Sequence, residues 1–158
     1  TCGDSQCAHD VCSEAELKSV ATSMQRSGLQ AAGGNYVNVD DCWGGPRNLT
    51  GDHRLTWNAT RFPSGIPALT AWLHQRGFRF GLYTSAGDQT CHGGLPGSRG
   101  FYDLDAKTFA SWGVDYVKFD WCGDVKKEPW TGESLHRNFS AAIKASGRDM
   151  VLEVVAGY

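Results

Sequence analysis

The chain has 158 residues, 41% hydrophobic and 20% charged, with a formal net charge of −2. That is one ordinary domain with enough apolar mass for a real core. It carries no basic surplus to hold nucleic acid, no charge run that reads as a tail, and no apolar run long enough to cross a bilayer.

In chain order, a cysteine-rich segment comes first. No secretory leader is visible before Thr1, which reads as a processed or truncated product. Three of the six cysteines, Cys2, Cys7 and Cys12, precede Ser13; the others are Cys42, Cys91 and Cys122. No CxxC pair is present, so a zinc site is not expected. Six cysteines alone leave 15 disulfide connectivities open. Ser13 to Glu16 reads SEAE, a capping box that opens a helix. Leu17, Val20, Ala21 and Met24 recur at helical spacing, and Gly28 closes the run.

NYVNVDD, residues 35–41, reads as the first strand. A long polar loop over 42–64 follows, with glycosylation sequons at Asn48 and Asn58; a third sits at Asn138. Three sequons together with paired cysteines favour an oxidising, secretory route, hence a secreted or lysosomal/vacuolar glycoprotein. A second helix is predicted over 66–76 and stops at Gly77. The strand FRFGLYTS, 78–85, comes next. A Gly-rich loop leads to a helix over 103–112 that Gly113 ends. VDYVKFD, 114–120, is the third strand, 134–145 the last helix, and MVLEVV, 150–155, the fourth strand.

The plan is thus helix, glycine, strand, polar loop, four times over, at an interval of roughly 35 to 45 residues, the size of a βα unit. Strands alternating with helices imply a parallel sheet, doubly wound or barrel. No GxGxxG follows the first strand, so a dinucleotide fold has no support. Strand alternation decides between the two. Val37 and Val39 share one face, Asn38 and Asp40 the other. Phe80 and Leu82 oppose Tyr83 and Ser85. Val117 and Phe119 oppose Tyr116, Lys118 and Asp120. Leu152 and Val154 oppose Val151, Glu153 and Val155. A doubly wound sheet is apolar on both faces. Here one face bears polar groups that gather at the C-terminal ends, where a (β/α)₈ barrel places its chemistry. A purely structural layer of ion pairs is the competing reading of Lys118 and Asp120.

The mouth of such a barrel would hold Asp40, Asp41, Tyr83, Lys118, Asp120 and Glu153, with Trp43 and Trp121 just beyond the strand ends. All five histidines fall on loops or helices. Oxygen ligands from Asp40, Asp41 and Asp120 could hold a cation, but Lys118 competes with one, so neither metal nor cofactor is expected. No nucleophile-elbow serine or phosphate cradle is present, and GSRG at 97–100 reads as a turn. Carboxylates among aromatics suit a sugar, which offers apolar ring faces and hydroxyls. Glycoside hydrolysis needs two carboxyl groups about the bond, and the Lys118 ammonium would keep Asp120 ionised as a nucleophile requires.

The stretches NYVNVDDCW, RFPSGI, GLYTSAG, QTCHGGLPGSRG and DAKTFASWGVDYVKFDWC, in that order, resemble the retaining α-galactosidase and α-N-acetylgalactosaminidase family, from about Cys2 to Glu153. The resemblance implies a (β/α)₈ TIM barrel that removes terminal α-linked galactose with retained configuration, and it is compatible with a homodimer of the full-length protein. It implies that Asp120 is the nucleophile, and that Asp40, Asp41, Tyr83 and Lys118 bind the sugar, with Trp43 and Cys91 beside it. Glu153 matches the glutamate that reads the 2-hydroxyl; N-acetylgalactosamine enzymes carry a small residue there, so galactose is favoured. The implied disulfides are Cys91–Cys122, Cys2–Cys42 and Cys7–Cys12. Leu152 stands where a cysteine is usual, and Val154 and Val155 where Trp-Pro is common. On this reading the chain, residues 1–158, holds strands two to five of eight, and the acid/base aspartate lies beyond Tyr158. The expectation is a fragment that is inactive alone, with exposed edge strands. The rivals are an α-N-acetylgalactosaminidase and a non-catalytic sugar-binding homologue.

Overall fold

The computed structural model describes residues 12–92, 94–125 and 131–155. Four parallel strands pair in sequence order, β1 (Tyr36–Asn38), β2 (Arg79–Ser85), β3 (Tyr116–Asp120) and β4 (Val151–Val154). They alternate with α1 (Glu14–Arg26), α2 (Ile66–His74), α3 (Tyr102–Ser111) and α4 (Gly132–Ala145). This is an arc of a (β/α)₈ barrel, as the alternation of the sequence requires.

The helices begin and end for local reasons. Ser13 caps α1, its hydroxyl accepting from the Glu16 N–H at 3.2 Å. Glu14 then reaches across to accept the Ser64 N–H and pairs with Lys18, which ties the first turn to the loop before α2. Helix α4 starts at Gly132, ahead of the expected 134, because Thr131 and Ser134 form a reciprocal capping box. Gly77 and Gly113 stop α2 and α3 in the left-handed region, at φ 77° and 78°, where a side chain would be strained.

The predicted alternation holds in β1 and β3; in β2 both faces are buried, and in β4 Val154, expected on the covered face, is exposed. Val37, Val39, Phe80, Leu82, Val117 and Phe119 are buried against the helices, each contributing about 2 kcal/mol of apolar burial. Phe119 stacks on Phe139 of α4 with ring centroids 4.2 Å apart, and Tyr102 of α3 meets both edge-on. The opposite face carries Tyr116, Lys118 and Asp120, all half-buried. At the outer edge β4 is less covered, and Val151 and Val154 are exposed.

Strand β1 is shorter than its apolar run suggested. The Val39 N–H still bonds to the Gly81 carbonyl at 3.0 Å. Beyond it the Asp40 carboxylate accepts the N–H of Asp41 at 2.7 Å, and the chain turns out of the ladder. That turn lifts both aspartates to the C-terminal end of the sheet. Among the described residues no helix is long and apolar enough to cross a membrane.

Among the described residues two disulfides are formed. Cys91–Cys122 is the expected pair. The other joins Cys12 to Cys42, which corrects both the Cys2–Cys42 and the Cys7–Cys12 pairings. Cys12 lies directly before the cap of α1, and α1 is anchored on the 61–64 segment by Glu14, whose N–H bonds to the Arg61 carbonyl. The Arg61 guanidinium in turn reaches the Cys42 carbonyl. Cys12 and Cys42 are thereby held 6.2 Å apart at Cα, inside the reach of a bridge. Cys2 and Cys7 lie outside the described residues.

Candidate active site

Parallel register brings three side chains into one row across the sheet. Tyr83 of β2 lies opposite Lys118 of β3, and Lys118 opposite Glu153 of β4. One step towards the C-terminal end, Ser85 lies opposite Asp120. Lys118 is the hub. Its ammonium sits 2.9 Å from Asp40 Oδ2, 3.9 Å from Asp120 Oδ2 and 5.2 Å from the Tyr83 ring centroid. Partial burial works against the lysine charge. The hydrogen bond to Asp40 and the fields of Asp40, Asp120 and Glu153 outweigh it, so its pKa rises and it stays protonated.

Asp120 is held asymmetrically. Its Oδ1 accepts the N–H of Trp121 at 2.8 Å, while Oδ2 is turned towards Lys118. Beside it, one oxygen of Asp120 and the sulfurs of Cys91 and Cys122 all lie within 4.8 Å of one another. Those sulfurs are bonded to each other, so the group cannot bind a cation as two thiolates would. The bridge joins the loops that follow β2 and β3. The loops touch so closely that a Cβ on Gly87 would fall 2.1 Å from the Cys122 carbonyl; only glycine fits there.

The two aspartates after β1 diverge. Asp40 is exposed and pairs with Lys118. Asp41 turns under the β2–α3 loop, where its Oδ2 accepts the His92 N–H at 3.0 Å. Tyr83 is buried, and its hydroxyl accepts the Cys91 N–H at 3.2 Å. Burial, with the negative charges of Asp41, Asp120 and Asp40, holds that phenol well above its ordinary range, so it remains a neutral hydroxyl.

Glu153 is exposed and accepts the Tyr116 hydroxyl. Burial and that contact push Tyr116 up to about 12. Trp43 departs from expectation: it does not stand at the mouth. It is 4% exposed, its indole N–H donates to the Tyr83 carbonyl at 2.8 Å, and its ring packs edge-on against Phe109 and Trp112. It therefore supports β2 from the helix side and offers no face to a sugar. Trp121 packs beside His136 and Gly132 of α4.

The scaffold beneath these loops was not foreseen. Arg47 forks onto Asp105 of α3 with two bonds of 2.7 Å and also donates to the His53 and Gly97 carbonyls. Burial raises the Asp105 pKa and the guanidinium opposes that rise. GSRG at 97–100 proves more than a turn. The Ser98 N–H and hydroxyl bond to β2 at the Ser85 carbonyl and Thr84 hydroxyl, and the Arg99 N–H bonds to the Gly87 carbonyl. The three sequon asparagines lie on loops and on α4, Asn48 and Asn138 exposed and Asn58 half-buried.

A sheet end that presents one carboxylate with an oxygen turned only towards a lysine among the described residues, a second carboxylate and a bridging ammonium can hold a polyhydroxylated ring and attack one of its carbons. Comparison with known proteins bears on this directly. The family model described as Alpha galactosidase A matches residues 2–155. Alpha-galactosidase A of Cellvibrio japonicus is 41% identical over 141 residues, covering 89% of this chain and 33% of that protein. Alpha-galactosidase 2 of Arabidopsis thaliana is 43% identical over 138 residues, covering 87% of this chain and 34% of its own length. Among solved structures, an alpha-galactosidase from Saccharomyces cerevisiae superposes with a TM-score of 0.84 at 34% identity, over 93% of this chain and 33% of that one. The same figures hold for the Saccharomyces cerevisiae alpha-galactosidase solved with raffinose. The chain thus spans about a third of the length of the curated relatives it matches.

Proposed function

This chain belongs to the alpha galactosidase A family, and from that premise we propose that it carries the nucleophile half of a site that removes terminal α-linked galactose with retention of configuration. The observation that supports it best is the placement of Asp120: Oδ1 tied to a backbone N–H, Oδ2 turned towards the Lys118 ammonium at 3.9 Å.

In this mechanism Asp120 Oδ2 attacks the anomeric carbon as the glycosidic bond breaks. A covalent galactosyl ester forms on Asp120. The departing oxygen takes a proton from a second carboxylic acid, supplied by a later strand end of the barrel and about 5 to 5.5 Å from Asp120 in retaining enzymes. Water, deprotonated by that same group, then attacks the anomeric carbon and releases galactose and the Asp120 carboxylate. The residues described above serve those steps. Lys118, held by Asp40, donates to sugar hydroxyls and offsets the negative charge around Asp120. Asp40 and Asp41 accept from the sugar. Tyr83, buried and neutral, supports the Lys118 ammonium with its ring and offers no face to the sugar. Glu153 accepts the 2-hydroxyl and leaves no room for an acetamido group, which favours galactose over N-acetylgalactosamine. The chain, residues 1–158, would form strands two to five of the barrel and hydrolyse nothing without the strand that bears the acid. Its disulfides and sequons support passage through the secretory route with glycans on Asn48, Asn58 and Asn138.

The test is hydrolysis of an aryl α-galactoside by the intact protein and its Asp120→Asn variant, with the anomer of the first-formed sugar read by NMR. The reading requires α-galactose from the parent and no measurable product from the variant. A β-anomer, or undiminished turnover by the variant, contradicts it. Binding of galactose without hydrolysis by the intact protein favours the sugar-binding alternative.

A further inference from the structure

Between the β1–α2 and β2–α3 loops, beneath Asp41, lies a small cavity lined by Asp41, Trp43, Tyr83, Thr90, Leu95 and Pro96, among others. The space in which the centre of a water molecule fits is about 10 Å³. A sugar ring cannot enter; one water can. Two side-chain oxygens of these lining residues, Asp41 Oδ1 and Thr90 Oγ1, are shielded from solvent and make no hydrogen bond among the described residues. Thr90 is 7% exposed. A buried polar atom without a partner costs free energy that folding does not leave unrecovered. Because both residues line one water-sized cavity, a single water there can serve both atoms. Asp41 Oδ1 can only accept; the Thr90 hydroxyl can donate and accept. A water donates to the carboxylate and exchanges a second bond with the hydroxyl, which meets the two-partner minimum for a buried water.

We propose that this cavity is a structural water site, and that Thr90 is a positioning residue which acts through that water on Asp41. The carboxylate is then fixed at both ends, Oδ2 by the His92 N–H and Oδ1 by the water, with lone pairs left for a ligand above. Neither His92 nor Thr90 touches the sugar in this arrangement. They set the angle at which Asp41 meets it. The kinetic consequence rests on the α-galactosidase reading; the water itself does not.

The experiment has two arms. The first is a high-resolution crystal structure of the intact protein. The expected result is a spherical density peak about 2.7 to 3.1 Å from both Asp41 Oδ1 and Thr90 Oγ1. A dry cavity, a direct Thr90–Asp41 hydrogen bond, or a peak with the roughly 2.3 to 2.6 Å distances of a hard cation overturns the proposal. The second arm compares Thr90→Val with Thr90→Ser. Loss of the hydroxyl is expected to raise KM for an aryl α-galactoside about fivefold with kcat nearly unchanged, and serine to restore it. An unchanged KM in Thr90→Val that retains the parent's melting temperature overturns the positioning role. If the intact protein cleaves no α-galactoside, the functional reading fails, yet the crystallographic arm still decides the water site.

Discussion

Strand β3 is preceded by one aspartate, Asp115, and ends on another, Asp120, and the two are treated in opposite ways. Asp115, just before the strand, is fully engaged. Its Oδ2 accepts the Phe80 N–H at 2.9 Å and contacts His74 Nε2 at 2.6 Å, and its Oδ1 accepts from Arg148 at 2.7 Å. Arg148 also donates to the Gly113 and Val114 carbonyls. One carboxylate thereby joins β2, β3, α2 and the approach to β4. Burial opposes its charge, but the Phe80 N–H, His74 and Arg148 overcome that, and its pKa falls below the ordinary 3.8. Among the described residues Asp120 has one backbone donor, and its second oxygen has only a lysine at 3.9 Å. A carboxylate whose bonds are all made inside the protein holds the fold together; one with an oxygen to spare is free to react.

Substitutions at the two ends should separate accordingly. The largest effect is expected at the mouth: Asp120→Asn in the intact protein should lower kcat for an aryl α-galactoside by at least about 10⁴-fold. Its denaturant midpoint should shift by no more than about 0.5 kcal/mol of stability. A large stability loss there would erase the contrast. Lys118→Met should follow, with kcat/KM reduced about a hundredfold because sugar orientation and the charge beside Asp120 are both lost. Isothermal titration with galactose would show the weakened binding independently.

At the other end, Asp115→Ala should cost about 2 to 3 kcal/mol of stability, since it strands the Phe80 N–H and the Arg148 guanidinium. Urea unfolding measures this, and the KM of the surviving folded protein should stay near that of the parent. The smallest effect is in pH. The folded pKa of Asp115 lies below its unfolded value, so its contribution is complete above about pH 4 and is lost as pH falls through the folded value. Stability measured from pH 6 downwards should therefore decline more steeply in the parent than in Asp115→Asn. Parallel curves would show that Asp115 is no acid-sensitive anchor.

The sequence carried these two ends unequally. The mouth was legible because strand alternation alone puts Tyr83, Lys118, Asp120 and Glu153 on one face, and parallel register then aligns them. Asp115 was not singled out: its importance comes from His74 and Arg148, 41 and 33 residues away, and no local pattern announces such contacts. The same holds for the Arg47–Asp105 fork, whose members are 58 residues apart. Cys12–Cys42 was missed because three cysteines in the first twelve residues offer no spacing that distinguishes them; the anchoring of α1 through Glu14 decides which one reaches Cys42. Trp43 departs from the mouth because nearness to DD in sequence says nothing of direction. The turn after Asp41 drives its indole back beneath β2 to the Tyr83 carbonyl.

The central claim is that Asp120 forms a covalent bond to the sugar. The direct measurement is mass spectrometry of the intact protein after reaction with a 2-deoxy-2-fluoro-α-galactosyl donor bearing an activated leaving group, which slows breakdown of any glycosyl ester. The account predicts a mass increase of one fluorosugar, mapped by peptide sequencing to Asp120 in VKFDW. A label on another carboxylate, or turnover with no covalent species under conditions that trap one, would contradict it.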